Sequence, residues 1–135
     1  MSQENVDLVC RAQEAWNRED LRALADLSDP DLEFVSVFSA LDSGGVTYRG
    51  PELWDPYFAR MHESWGEWQV EDFRALDAAD DRVVSVSRLV GKGKSSGARV
   101  EHPAALTYRL RHGKLWRVRS YLEPAQALEA VGLSE

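Results

Sequence analysis

The chain has 135 residues, enough for one domain with a core of its own, and 23 acidic against 16 basic residues leave a net charge of −7. That balance, with basic residues scattered, argues against nucleic acid as a partner. The single cysteine, Cys10, excludes an internal disulfide, and His62, His102 and His112 lie too far apart, without CxxC or HxxxH spacing, for a structural zinc site. The first ten residues lack the basic start and apolar core of a signal peptide. No apolar run approaches the ~20 residues that cross a bilayer, so a cytoplasmic protein without a membrane partner is expected.

Residues 5–17 carry Val6, Val9, Cys10 and Trp16 near one helical face, with Cys10 expected as a small core residue. Asp20 is placed to cap a second, short helix bearing Leu21, Leu24 and Leu27, which "SDPD" ends because Pro30 disfavours helix before it. "LEFVSVF" reads as a strand, and "SALDSGGVTYRG" as a loop turning at Gly44–Gly45. Pro51 opens a third helix, in which Trp54, Tyr57, Phe58, Met61 and Trp65 step by three and four residues along one face. Gly66 marks its end. "WQVEDFRAL" and "RVVSVSRLV" read as strands around the turn "DAADD", and "GKGKSSG" as an exposed connection. After the final hairpin, Glu123–Pro124 starts a last helix that Gly132 stops.

Helices come first and turn-linked strands later, which is an α+β arrangement with a mixed, mostly antiparallel sheet. A curved sheet with helices across its concave face leaves a cone-shaped cavity.

The hairpin "RVEHPAALTYRLRHGKLWRVRSYLE", Arg99 to Glu123, supplies candidate chemistry. Val100, His102, Ala104, Leu106, Tyr108 and Leu110 share one face. Two turns are open. A two-residue turn at His112–Gly113 places Arg117 beside Tyr108 and Trp116 beside Arg109. A three-residue loop, Arg111 to Gly113, pairs Tyr108 with Trp116, Leu106 with Val118, Ala104 with Ser120 and His102 with Leu122. The second register puts the apolar sets on one face and is preferred. His102, Tyr108 and Ser120 then face inward together. In the preceding strand Val84, Val86 and Val90 alternate as an apolar face. Arg88 is in phase with them, either turned inward against a carboxylate or ligand, or snorkelling at the rim.

"YRGPELWDPYF", the segment "GKGKSSGARVEHPAALTYRLRHGKLWRVRSYLEPAQALEAVG", the "RHGK" turn and the "PAQALEAVGL" ending resemble the SnoaL-like branch of the nuclear transport factor 2-like superfamily, over nearly the whole chain. The resemblance implies a cone-shaped α+β barrel with an apolar pocket, often dimeric through the outer sheet face. Members include polyketide cyclases, ketosteroid isomerases and limonene epoxide hydrolases, so fold alone leaves function open. Catalytic members place carboxylates in the pocket. Here the inner faces of the last two strands hold none, since Glu101 and Glu123 have outward parity.

His102 is therefore the candidate general base and Tyr108 the candidate donor to a developing enolate oxygen. Trp54, Phe58, Arg88, Leu106, Trp116, Val118 and Ser120 are candidate ligand contacts. Asp42 is a further acid near the expected mouth. Asp55 reads as a solvated residue in the first turn of its helix, and His62 as lying on a helix flank away from any site. The expectation is a cofactor-free isomerase, cyclase or hydrolase acting on a hydrophobic carbonyl compound, with a non-catalytic ligand-binding or interaction domain as the alternative. A homodimer is expected through the face assigned to Thr107, Tyr121 and Leu89.

Overall fold

A computed structural model describes residues 2–36 and 46–133. Asp42 and the Gly44–Gly45 turn lie outside the described residues. Helix α1 spans Ser2–Asn17 and α2 spans Leu21–Asp26; β1 is Ser28–Ser36 and β2 is Val46–Arg49. A short 3-10 helix at Pro51–Leu53 leads into α3, Trp54–Ser64. Strands β3 (Trp65–Asp77), β4 (Arg82–Gly93), β5 (Arg99–Arg111) and β6 (Lys114–Tyr121) follow, and α4 (Pro124–Ala130) closes the described chain.

The strands form one sheet in the order β2-β1-β6-β5-β4-β3. β1 runs parallel to β6 and the other neighbours are antiparallel, so the α+β fold with a mixed sheet is as expected. Four element readings change. Gly91, Lys92 and Gly93, read as the start of an exposed connection, belong to β4 and pair with Trp68, Glu67 and Trp65 of β3. Val46–Arg49, read as loop, is a strand that pairs Tyr48 with Phe34 of β1. The first strand begins at Ser28 rather than Leu32, because Pro30 bars a helix but not an irregular strand start. Trp65 belongs to β3 rather than to the helical stripe, its backbone already extended at φ −118°, ψ 133°.

Local chemistry explains the ends. The Asp20 carboxylate accepts the Ala23 amide at 3.1 Å and caps α2 as expected. Ala79, Asp80 and Asp81 take left-handed backbone to make the β3–β4 turn. In β3 the register slips between Glu71 and Arg74, where Asp72 has φ 55°. Such a bulge bends the edge strand and adds twist to the sheet.

The principal core joins Leu8, Val9 and Ala12 of α1 with the α3 aromatics and the inward residues Phe34, Val83, Leu110 and Val118. The Trp65 ring packs close against β4: a Cβ on Gly91 would fall 2.8 Å from its Cε3. A second cluster lies on the outer face, where Ala127 and Val131 at the C-terminal helix cover Val84 and Ala105. Cys10 is half-buried rather than core, and burial, then Asp7 and Glu14, push its thiol upward.

The hairpin register is neither of the simple alternatives. Arg111 pairs with Lys114 around a two-residue turn, His112–Gly113, with φ of 54° and 70°. Left unaltered, that turn would have turned the apolar set of β6 outward. A bulge repairs it at once: Leu110 pairs with Leu115 but Arg109 with Arg117, so Trp116 is the extra residue. Beyond the bulge Tyr108 faces Val118 and Leu106 faces Ser120. The preferred register is therefore corrected in its pairs, while Leu106, Tyr108, Val118 and Ser120 do share the inner face.

Candidate functional site

A cavity of about 60 Å³ lies between the concave sheet face and helices α1 to α3. Each element contributes an inward side chain: Ala12, Gln13 and Trp16 from α1, Leu24 from α2, Phe34 from β1, and Trp54 and Tyr57 from α3. Val70, Ser87, Leu89, Ala104, Leu106, Tyr108, Leu115 and Val118 come from the sheet. Gln13, Trp16, Val70, Ser87 and Leu106 are half-buried and mark where the cavity reaches solvent; Leu24, Phe34, Trp54 and Tyr57 are buried at its floor.

The polar atoms at the floor are bonded to other protein groups. The Tyr108 hydroxyl lies 3.0 Å from Ser85 Oγ, which is fully buried. Trp16 Nε1 donates to the Tyr57 hydroxyl at 3.0 Å. Trp54 Nε1 donates to Ser28 Oγ at 3.0 Å, and Ser28 in turn donates to the Leu24 carbonyl at 2.6 Å. Burial pushes both phenols well above their ordinary range, and the hydrogen bonds from Trp16 and Ser85 offset this only in part. Both are neutral phenols at physiological pH. Among the described residues, no Asp, Glu, His, Lys or Arg lines the cavity.

Of the residues read from sequence, the structure brings Trp54, Leu106, Tyr108 and Val118 together on the cavity wall. Phe58 stands behind it, packed on Trp16, Trp54 and Tyr57. Ser120 faces the same side but is closed over, 1% exposed, with its hydroxyl 3.4 Å from the Val35 carbonyl.

Three candidates lie elsewhere. His102 is one inward position past Ala104, opposite Leu89, but it does not line the cavity. Its Nδ1 is 2.6 Å from the Pro103 carbonyl oxygen, a geometry in which Nδ1–H donates to its own neighbouring backbone. Arg88 is on the outer face, beside Glu71, 3.6 Å from Asp72 and 3.5 Å from Glu101. The inward row of β4 is Val83, Ser85, Ser87 and Leu89, and the valines in phase with Arg88 face outward, Val84 beneath the C-terminal helix. Trp116, the bulge residue, does not line the cavity and lies against guanidiniums, its ring 4.5 Å from Arg111 and 4.4 Å from Arg117.

The face assigned to a dimer also changes composition. Leu89 lines the cavity, whereas Thr107 and Tyr121 face outward, Tyr121 packed in the cluster under the C-terminal helix. Asp55 is exposed in the first turn of α3, and His62 lies 2.7 Å from Glu19 with its ring against Trp68, both away from the cavity as expected. Sequence reasoning missed Gln13, Ser87, Leu89 and Val70. Gln13 sits three residues before Trp16 and was open to detection by helical spacing. The β4 pair carried a misleading signal, since the outer row is the more uniformly apolar one.

A family model described as a SnoaL-like domain matches residues 9–118. The chain belongs to this SnoaL-like family. No curated protein is significantly similar to it in sequence. Solved structures of the same fold include an NTF2-like protein of unknown function from Burkholderia pseudomallei, at 15% identity and TM-score 0.77, covering 96% of this chain and 98% of that one. A candidate polyketide cyclase from Xanthomonas campestris matches at 20% identity and TM-score 0.76, over 97% and 98%. A protein of ketosteroid isomerase-like fold from Catenulispora acidiphila, in complex with trimethylamine, matches at 23% identity and TM-score 0.72, over 93% and 92%. At these identities the likeness is one of fold, and the SnoaL-like cavity must be read from its own residues.

Proposed function

We propose that this SnoaL-like domain binds a small, uncharged, largely apolar molecule in the cavity, as a ligand-binding module rather than a proton-transfer enzyme. The observation that carries the reading is the wall itself: aromatic and aliphatic, with no charged side chain among the described residues. A general base must come within hydrogen-bond reach of the proton it takes and hold a pKa near the working pH. Tyr57 and Tyr108 stay protonated at a working pH, and His102 does not line the cavity.

Size points the same way. A water needs roughly 10–15 Å³ of such space, so about 60 Å³ matches a single ring better than a fused ring system. Apolar walls with a few fixed polar groups are the usual composition of a small-molecule site.

The test is an amide NMR titration with toluene. The expected shifts cluster at Val70, Leu89, Ala104, Leu106 and Val118. Shifts confined to other surfaces, or none at saturating toluene, refute the reading. Turnover of a carbonyl substrate that is lost in both Tyr108→Phe and His102→Gln would establish the proton-transfer alternative instead.

A further inference from the structure

The cavity is polar at one end only, and that end is its mouth. The Tyr57 and Tyr108 hydroxyls and the Trp16 and Trp54 indole N–H groups are each committed to another protein group, in the Tyr108–Ser85, Trp16–Tyr57 and Trp54–Ser28 bonds. Two residues along β4 from Ser85, on the same inward row, is Ser87. It is half-buried, it lines the cavity, and its hydroxyl has no protein hydrogen-bond partner among the described residues. Gln13, also on the half-buried rim, uses its amide N–H toward Asn17 Oδ1 at 3.1 Å; its amide oxygen has no protein partner among the described residues. The rim therefore offers a hydroxyl that can donate or accept and an amide oxygen that can only accept.

We propose that the ligand is a small neutral alcohol, seated with its apolar body on Phe34, Trp54 and Val118 and its hydroxyl at the rim, between Ser87 and Gln13. The proposal rests on the binding reading above and adds the ligand's polarity and direction. A hydroxyl matches the rim because it donates a hydrogen bond to the Gln13 oxygen and accepts one from Ser87. Turned the other way, the ligand hydroxyl would compete with bonds already made between buried groups and would leave Ser87 facing hydrocarbon.

The test uses benzyl alcohol and toluene, which share a ring and differ by the hydroxyl, with calorimetric or NMR dissociation constants for the wild-type protein and Ser87→Ala. Loss of one neutral hydrogen bond predicts that Ser87→Ala weakens benzyl alcohol about three- to tenfold while toluene stays within about twofold. Ser87 is half-buried and without a hydrogen-bond partner among the described residues, so its replacement leaves the fold intact. An unchanged melting temperature, with amide shifts confined to the neighbourhood of residue 87, checks this. Equal effects on both probes, or none on either, overturn the alcohol proposal and leave the apolar-ligand reading standing. If neither probe binds the wild-type protein, both readings fall.

Discussion

Removing the Tyr108 hydroxyl separates a structural role from a chemical one. In the wild-type protein that hydroxyl is 3.0 Å from Ser85 Oγ, with Ser85 at 0% exposure and Tyr108 at 5%. Tyr108→Phe keeps the ring on the cavity wall but strands the Ser85 hydroxyl in the interior. Leaving such a group unmade costs about 1–3 kcal/mol. Ser85→Ala costs less, about 0.5–1.5 kcal/mol, because the freed phenol borders a cavity that admits water. The double variant removes both partners together, and its cost falls short of the sum by a coupling of about 1 kcal/mol. Urea denaturation of the four proteins, with m-values held in common, measures all three quantities. Strict additivity would mean that the two hydroxyls do not bond, and the account of a floor whose polar groups are all committed would fail with it. Toluene binding should survive in Tyr108→Phe, since the hydroxyl contributes nothing to an apolar ligand.

Three further outcomes follow from particular contacts. Gly91→Val drives a branched side chain into the Trp65 ring, where even a Cβ would sit 2.8 Å from Cε3; overpacking of this kind costs about 1–3 kcal/mol and lowers the melting temperature. His112→Asn eases the left-handed first position of the β5–β6 turn, where His112 has φ 54°, and should stabilise by about 0.5 kcal/mol in urea melts. Asp29 is buried, and the Arg111 guanidinium, with Nη2 2.8 Å from Oδ1, holds its carboxyl below the usual range. A depressed folded-state pKa stabilises the protein above the unfolded value of about 3.9, and that stability is lost as pH falls through the folded value. Asp29→Asn should therefore flatten the melting-temperature profile below about pH 4 relative to wild type, and an unchanged acid slope would refute the assignment.

The fold was legible because its signals are local and redundant. Asp20 before a leucine-bearing helix, Pro51 ahead of the α3 aromatics, and Glu123–Pro124 before the last helix each announce an element independently of the rest. Val46–Arg49 escaped because four residues next to two glycines carry too little periodicity to outweigh the turn composition. What makes them a strand is the neighbouring β1, against which Tyr48 pairs with Phe34. Tertiary context of that kind has no local signature.

The site was legible only where parity could be trusted, and two features broke it. At Trp116 one extra residue reverses the phase of β6, so the largest aromatic of the hairpin leaves the cavity for a stack of arginines while Leu115 and Val118 stay inside. Either turn length on its own assigns Trp116 wrongly or puts the apolar set on the wrong face; the bulge satisfies turn and core at once. In β4 the rule that the apolar row faces the core selects the wrong side. The outer row of Val84, Val86 and Val90 is apolar because the C-terminal helix packs against part of it, and the inner row carries serines because Tyr108 needs one partner. The second serine, Ser87, has no such structural debt. A polar residue on a core-facing row, without a protein hydrogen-bond partner among the described residues, is the feature of this chain that most directly points to a ligand.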